Sequence, residues 1–262
     1  MPIYCANCVD FMETEMDADS VDMTLTSPPY DDLRTYNGYT FDLESIAEQL
    51  YRITKQGGVI VWVVGDQTKN GDESGTSFRQ ALHFKEIGFK LLDTMIYAKT
   101  PRGIIGSNQY TYLQCFEYMF VFSKGMPTTF NLIYDRKNKT AGQKYRHHRR
   151  ETEGNLHYDD NRTWETKAYG RRTNIWEYVG GSGITSDKIA FKHPAIFPEK
   201  LAEDHILSWT NPNDLVFDPM CGSGTTGKMA LKHNRRFIGV DISEEYIEIA
   251  RQRLNLPQQG FL

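Results

Sequence analysis

Two stretches of the sequence combine residues that could bind a ligand or take part in a reaction. The first, at 218–227, reads D-P-M-C-G-S-G-T-T-G between an apolar run and a helix-favouring segment, which predicts a strand, a glycine turn and a helix start. Glycines allow close approach to a ligand, and free amides at a helix start face it. The second, S-P-P-Y at 27–30, joins hydrogen-bond acceptors on a stiff backbone to an aromatic ring. Either stretch alone is also compatible with a structural turn.

The glycine turn is compatible with more than one nucleotide. Gly222, Gly224 and Gly227 satisfy the dinucleotide pattern G-x-G-x-x-G. Asp241 ends the next predicted strand, at about the position of a ribose-binding acid. The P-loop pattern G-x-x-x-x-G-K is satisfied too, but Met229 replaces the hydroxyl that binds magnesium, which disfavours ATP. Only 21 residues follow Asp241, so the other strands of the sheet are expected upstream, in a circularly permuted order.

With this order, the chain resembles the β class of DNA amino-methyltransferases, which use S-adenosylmethionine. The resemblance rests on S-P-P-Y early and D-P-x-x-G-S-G-T-T late, and it extends over nearly the whole chain. It implies an α/β, Rossmann-like methyltransferase fold with a mostly parallel sheet and a small inserted target recognition region. The expected divisions are a catalytic half at 1–125, a recognition insert at 126–173 and a cofactor-binding half at 174–262.

The resemblance also implies a cofactor site. S-adenosylmethionine is expected over the glycine turn, with its ribose held by Asp241, and the H-P-x-x-x-P-x-x-L stretch that begins at His193 is expected beside its methionine part. Asn7 stands where the family usually has an acid under the adenine ring, and a plain helix cap is an equal interpretation. The predicted cofactor-binding residues are Asn7, Phe197, Pro198, Asp218, Pro219, Gly222, Ser223, Gly224, Thr225, Thr226 and Asp241.

The predicted catalytic residues are Ser27, Pro28, Pro29 and Tyr30. A nucleobase amine is a poor nucleophile because its lone pair is conjugated with the ring. Acceptors from the Ser27 side chain and the Pro28 carbonyl could bind its two hydrogens and favour a more tetrahedral nitrogen. Tyr30 would stack on the base, which must be flipped out of the duplex. The family associates serine before P-P-Y mainly with cytosine and aspartate mainly with adenine, so cytosine-N4 is favoured and adenine-N6 is the alternative.

Positive charge is concentrated in the middle of the chain. Residues 135–172 hold eleven Lys or Arg and six Asp or Glu, whereas the whole chain has a net charge of −4. A basic insert on an acidic body predicts contact with DNA phosphates, and a solvated, partly disordered loop is the other interpretation. The predicted contacts to double-stranded DNA are Arg34 and Tyr36 from the loop after Tyr30, and Lys144, Arg146, Arg149, Arg150, Arg171 and Arg172 from the insert.

Composition limits the other classes. No apolar run approaches the roughly 18 residues of a membrane helix and no secretory pattern is present, so a cytoplasmic protein is expected. Cys5 and Cys8 form a C-x-x-C without a second pair, and no metal site is predicted. The rival functions are an RNA or protein amide methyltransferase and a nucleic-acid-binding module with a degenerate cofactor site. A homodimer and a cognate restriction endonuclease are compatible partners.

Overall fold

The computed structural model describes residues 2–29, 41–100, 110–150, 152, 154–179, 185–193 and 195–255, with the backbone alone at 147–150 and 156–162. The chain divides into two compact units. The sheet unit comprises Met1–Asn131 and Asn174–Leu262, and the insert unit comprises Leu132–Thr173.

Strands and helices alternate along much of the chain. The strands are β1 (Ile3–Cys5), β2 (Val21–Thr26), β3 (Thr54–Val64), β4 (Thr68–Lys69), β5 (Asp72–Glu73), β6 (Lys90–Lys99), β7 (Phe116–Ser123), β8 (Arg136–Lys137), β9 (Lys144–Arg150), β10 (Leu156–Glu165), β11 (Tyr169–Gly170), β12 (Ile175–Tyr178), β13 (Leu215–Asp218) and β14 (Arg236–Asp241). The α-helices are α1 (Cys8–Glu15), α2 (Leu43–Ile53), α3 (Thr76–Ile87), α4 (Glu199–Trp209), α5 (Thr225–Lys232) and α6 (Glu244–Leu254). A 3-10 helix covers Lys188–Lys192.

The sheet unit contains an eight-stranded sheet with the order β1-β14-β13-β2-β3-β7-β6-β12. Neighbouring strands are parallel except at β7, which runs antiparallel to both β3 and β6. The last two strands of the chain therefore lie between its first two, which is the permuted order predicted from the sequence. The carboxyl ends of seven strands share one edge of the sheet, where open α/β folds bind their ligands.

The core explains why the central strands read as apolar runs. Strands of a parallel sheet covered on both faces are buried on both sides, so their sequences do not alternate. Every residue from Val59 to Val64 of β3 is buried, and the indole nitrogen of Trp62 donates to Gln80 Oε1 of α3 (2.8 Å). Phe120 of β7 is buried too. Both aromatic residues lie in the core, where large aromatic side chains are usually found.

One predicted boundary is wrong. The sequence pattern predicts that the pair Gly57-Gly58 ends the helix that starts near Leu43, but α2 ends at Ile53 and β3 runs through both glycines. Gly57 has a φ of +81°, and its amide donates to Lys124 O (2.6 Å). A Cβ at Gly57 would lie 2.8 Å from Met126 O. Glycine is needed here because the strand is distorted and closely packed.

The insert unit consists of hydrogen-bonded strands rather than an irregular loop. Strand β9 pairs antiparallel with β10, and β8 pairs antiparallel with β11. In the first pair Tyr145 lies opposite Trp164, and their rings stack at a centroid distance of 5.8 Å. Both rings are exposed, Tyr145 at 37% and Trp164 at 46%. The hairpin thus presents an exposed aromatic pair, in which Tyr145 lies between Lys144 and Arg146 in the sequence.

Two findings concern the classes considered from composition. Across the described ranges, no helix combines the length and apolar character needed to cross a membrane. Within those same ranges, no group of His, Cys, Asp and Glu residues is arranged to hold a metal ion.

Candidate active site

The carboxyl edge of the sheet brings the two sequence motifs together. Strand β13 pairs with β2 so that Val216 faces Met23 and Phe217 faces Thr24. The hydroxyl of Thr226, in the first turn of α5, donates to the carbonyl of Leu25 near the end of β2 (3.3 Å). The glycine turn that follows β13 is therefore next to the Ser27 loop that follows β2.

The glycine turn has the backbone shape that its composition predicts. Gly222 and Gly224 adopt φ values of +48° and +77°, in the left-handed region that favours glycine. A Cβ on Gly222 would lie 2.7 Å from Nε2 of His193, so this turn and the His193 segment are closely packed. Helix α5 begins after Gly224, which offers no side-chain cap. Its first amides, at the positive end of the helix, suit a polar ligand.

Asp218 ends β13 as a buried carboxyl group. Its Oδ1 accepts a hydrogen bond from the amide of Met220 (3.2 Å). Burial raises the pKa of Asp218 to about 7, and the nearby hydroxyls of Thr226 and Thr26 oppose that rise. Because burial raises the pKa of this carboxyl group, a cationic ligand placed beside it would stabilise its anionic form.

Asp241 ends the neighbouring strand β14 and is fixed from both sides. Its Oδ2 accepts from the amide of Gly222 (2.8 Å) and its Oδ1 from the amide of Ser243 (2.9 Å). Burial raises the pKa of this carboxyl group above its ordinary value. Each carboxylate oxygen has a second lone pair, so both can still accept a hydroxyl of a bound ligand. The geometry suits a vicinal diol such as ribose.

Three predicted cofactor residues have structural partners for their side chains. Asn7 caps α1, and its Oδ1 accepts from the amides of Val9 (2.8 Å) and Asp10 (3.4 Å), which is the helix-cap interpretation left open by the sequence. The hydroxyls of Ser223 and Thr225 accept from Nη1 of Arg253 at 3.0 and 3.1 Å. Arg253 thereby orients both hydroxyls, and each of them still has a hydrogen that it can donate.

The H-P-x-x-x-P stretch lies against the glycine turn. The His193 ring packs edge-on against Tyr246 of α6 with centroids 4.2 Å apart. Phe197 is half-buried, and buried Pro198 is the N-cap of α4, with its carbonyl accepting from Leu201 N (3.0 Å). Tyr246 was not among the predicted residues, and the only signal for it in the sequence is its position shortly after Asp241.

The remaining predicted residues differ in how far the structure describes them. Pro28 is buried, and Ser27 and Pro29 are half-buried. Lys144, Arg146 and Arg171 are exposed in the insert unit, whereas half-buried Arg172 donates from Nε to Asp135 Oδ2 (2.9 Å). The positions that lie outside the described residues are Tyr30, Arg34 and Tyr36, together with the side chains of Arg149 and Arg150.

The fold and this edge define a class. In this Rossmann-like sheet, two acids lie at the glycine turn that follows β13. The neighbouring strand in the sheet, β2, is followed by a proline-stiffened loop that carries hydrogen-bond acceptors. This is the arrangement of an α/β enzyme that binds a nucleotide-containing cofactor beside its substrate.

The comparisons identify the family. A family model described as DNA methylase matches residues 21–252, and the chain belongs to this N6/N4 DNA methylase family. The chain is 58% identical over 240 residues to the orphan methyltransferase M.BamHII of Bacillus amyloliquefaciens, covering 90% of this chain and 89% of that protein. It is 29% identical over 245 residues to the type II methyltransferase M.BglII of Bacillus subtilis, covering 90% of this chain and 64% of the relative.

Solved structures agree on the fold. The cytosine-N4-specific PvuII DNA methyltransferase superposes with a TM-score of 0.67 at 20% identity, covering 96% of this chain and 85% of that chain. The M1.HpyAVI–SAM complex superposes with a TM-score of 0.63 at 23% identity, covering 96% and 98%. These likenesses confirm the predicted Rossmann-like methyltransferase fold. The family match confirms the prediction of a DNA methyltransferase.

Proposed function

We propose that this DNA methylase transfers the methyl group of S-adenosylmethionine to the N4 amine of a cytosine that is flipped out of DNA. The observation that carries the proposal is the contact between the two motifs, in which α5 is hydrogen-bonded to the end of β2 through Thr226 and Leu25. A cofactor on the glycine turn would then have its reactive end next to the Ser27 loop. Adenine-N6 transfer is the alternative.

The residues at the carboxyl edge fit S-adenosylmethionine in charge and shape. Asp241 offers two fixed acceptors for the ribose hydroxyls. Asp218 offers a buried carboxyl group that a cationic ligand would ionise. When bound, the cofactor supplies a methyl group already activated by its sulfonium, so the protein needs no covalent nucleophile. The contribution of this chain is alignment and polar stabilisation.

The acceptors of the catalytic loop support an amine as the methyl acceptor. The Ser27 hydroxyl and the Pro28 carbonyl would bind the two amine hydrogens and stabilise the positive charge that develops on nitrogen. A neutral hydroxyl is sufficient to orient this group, and a full negative charge is not required. This argument applies to the amine of cytosine and of adenine alike, and the family's association of serine with cytosine is what favours N4 of cytosine as the target.

A transfer assay with labelled S-adenosylmethionine tests the proposal. DNA, folded RNA and a protein mixture are offered as acceptors in parallel reactions. We expect label in DNA alone. Label in RNA or protein and none in DNA would contradict the proposal, and cofactor binding without transfer to any acceptor would favour a binding module.

We also propose that the insert unit contacts the DNA backbone and bases. Lys144 and Arg146 are exposed on β9 and flank Tyr145 in the sequence. Tyr145 is paired with Trp164 of β10, and the two rings stack. Successive residues of a strand alternate between its faces and directly opposed residues share one face, so Lys144 and Arg146 lie on the face opposite the aromatic pair. Cations bind phosphates, and exposed aromatic rings stack on bases or sugars. Arg149, Arg150 and Arg171 remain predicted contacts of the same kind.

Replacing Lys144 and Arg146 with glutamine is expected to flatten the salt dependence of DNA binding. Each lost phosphate contact lowers the slope of log Kd against log salt by about 0.9, so the double variant should lose about 2 units of slope if each cation contacts one phosphate. Fluorescence anisotropy with labelled duplex from low to moderate salt measures it.

The matched control is the double variant Lys85→Gln, Lys90→Gln. It removes the same charge from exposed positions at the end of α3 and the amino end of β6. The control should keep the wild-type slope of log Kd against log salt. Trp164→Ala should weaken DNA binding and leave that slope unchanged. An unchanged slope in the Lys144 and Arg146 variant would mean that β9 does not bind phosphate.

A further inference from the structure

A fully buried guanidinium group contacts the glycine turn from helix α6. The side chain of Arg253 is 0% exposed. Its Nη1 donates to the carbonyl of Ser223 (2.6 Å), to the hydroxyl of Ser223 (3.0 Å) and to the hydroxyl of Thr225 (3.1 Å). Three oxygens of the turn are thus held by one amino group. The carbonyl of Ser223 lies between Gly222 and Gly224, whose left-handed backbone sets the shape of the turn.

The rest of the guanidinium group contacts two other segments. Nη2 donates to Glu199 Oε1 (2.9 Å) and Thr185 Oγ1 (3.2 Å), and Nε donates to Asp187 Oδ2 (3.2 Å). Lys228 of α5 binds the same two acids, at 2.6 Å from Asp187 Oδ2 and 2.9 Å from Glu199 Oε1. Two cations and two carboxylates therefore form a charge-balanced cluster beside the turn.

Both acids of this cluster are held in their charged form. Burial alone would raise the pKa of Asp187, but the bonds from Lys228 and Arg253 outweigh it and lower that pKa. Burial opposes ionisation of Glu199 as well, and the bonds from Lys228 and Thr185 lower its pKa. Paired and hydrogen-bonded in this way, the acids keep the partly buried cluster intact.

The segments that Arg253 joins are the ones that carry the proposed cofactor contacts. Asp187 directly precedes the 3-10 helix that leads to His193, and Glu199 directly follows Pro198. The helix that bears Arg253 starts three residues after Asp241. One side chain thus fixes the turn, the approach to His193 and the start of α4. An arginine is required because its planar fork has five donors, whereas a lysine has one ammonium group with three.

We propose that Arg253 is a positioning residue that holds the glycine turn and the His193 and Pro198 segments in their cofactor-binding arrangement. The inference rests on the proposed use of S-adenosylmethionine at this site. Because its side chain is fully buried, Arg253 would act on the cofactor only through these segments. Its loss would lower the fraction of protein in the binding-competent arrangement and so weaken cofactor affinity by that fraction. The chemical step at saturating cofactor would be unaffected.

The chain offers a matched control in Arg235. This arginine is also buried, at 8% exposed, and it too holds several oxygens of neighbouring segments. Its Nε donates to Thr210 Oγ1 (2.9 Å), Nη1 to His233 O (2.6 Å) and Nη2 to Thr210 O (2.6 Å). Arg235 lies before the amino end of β14, at the edge of the sheet opposite the glycine turn. Its substitution should destabilise the fold without disturbing the cofactor turn.

The experiment compares Arg253→Lys with Arg235→Lys in the full chain. Calorimetry measures the Kd for S-adenosylmethionine, and steady-state transfer to DNA gives KM and kcat. We expect Arg253→Lys to raise both Kd and KM for the cofactor about tenfold, with kcat within about twofold and DNA affinity unchanged. We expect Arg235→Lys to lower Tm about as much as Arg253→Lys does and to keep the wild-type Kd. The milder variant Asp187→Asn, which removes one partner of Arg253, should raise Kd about threefold.

Different results would contradict the positioning role of Arg253 and the proposed function on which that role rests. A wild-type Kd in folded Arg253→Lys, or the same rise in Arg235→Lys, would mean that Arg253 is only a structural anchor. Should Arg253→Lys fail to fold, a wild-type Kd in Asp187→Asn would overturn the inference as well. Failure of the wild-type protein to bind S-adenosylmethionine would instead contradict the proposed function.

Discussion

Asp218→Asn should weaken S-adenosylmethionine binding at least about tenfold and at the same time stabilise the cofactor-free protein above pH 7. The buried carboxyl group has a pKa raised from 3.8 to about 7, and a neutral amide cannot become the anion that a cationic ligand favours. The side-chain oxygen of the variant would still accept from the amide of Met220, so the turn keeps that bond. Calorimetry with S-adenosylmethionine, ATP and NAD measures the loss and tests the identity of the cofactor.

The stability effect has a definite sign and pH window. Below about pH 4 Asp218 is protonated in both the folded and the unfolded protein, so wild type and variant should have similar free energies of unfolding. Between about pH 4 and 7 the unfolded chain releases its proton first, so wild-type stability falls relative to the variant. Above pH 7 the difference reaches its limit, at most about 4 kcal/mol. Urea unfolding of both proteins from pH 4 to 8 measures it.

The control for this variant lies just before the other end of the same strand. Asp214 precedes the amino end of β13 and accepts from the amide of Asn211 (2.7 Å). Asp214→Asn makes the same chemical change away from the turn, and it should leave cofactor affinity unchanged. Wild-type affinity in Asp218→Asn, or tight binding of ATP or NAD without binding of S-adenosylmethionine, would contradict the assignment of the turn.

Ser27→Ala should lower the rate of methyl transfer to DNA about 100-fold, the usual cost of removing one acceptor or donor that acts in the transition state. The amine would lose one of its two acceptors and would no longer be held with its lone pair toward the methyl group. Cofactor and DNA affinities should stay near those of the wild type, because the hydroxyl acts on the reacting amine. Single-turnover transfer with saturating cofactor isolates this step.

Ser20→Ala is the matched control for the catalytic loop. Ser20 precedes the amino end of β2, and its hydroxyl donates to Asp17 O (2.7 Å). The control makes the same change at the other end of the strand and should keep full activity. If Ser27→Ala were fully active, Ser27 would have no part in the mechanism.

The parts of the fold that local patterns determine were predictable. Apolar runs in the sequence mark β3, β13 and β14, and the sequence pattern after Asp241 predicts a helix over Glu244–Leu254, which are the bounds of α6. The pair Gly57-Gly58 gave a wrong helix boundary because glycine is common both at helix ends and at bends within strands. What selects the bend is packing against Lys124 and Met126, which are distant in sequence. Such contacts leave no local signal.

The same limit applies to the candidate site. The glycine pattern and the acids after β13 and β14 identify the turn because the backbone and carboxylates themselves supply its contacts. The partner of Ser223 and Thr225 was not predictable, since Arg253 lies 30 and 28 residues away on a helix whose other charged residues are exposed or half-buried. A charged residue in such a helix is usually exposed, and only the folded chain reveals that this one is buried.

Mass spectrometry of nucleosides identifies which base of DNA receives the methyl group. DNA lacking prior methylation is incubated with the protein and S-adenosylmethionine that carries a deuterated methyl group, then digested to nucleosides. We expect N4-methylcytosine with the full isotopic shift, and none when Ser27→Ala replaces the wild type for the same short time. Labelled N6-methyladenine alone would overturn the target base, and unlabelled DNA after prolonged incubation with several duplex sequences would contradict methyl transfer to DNA by this protein.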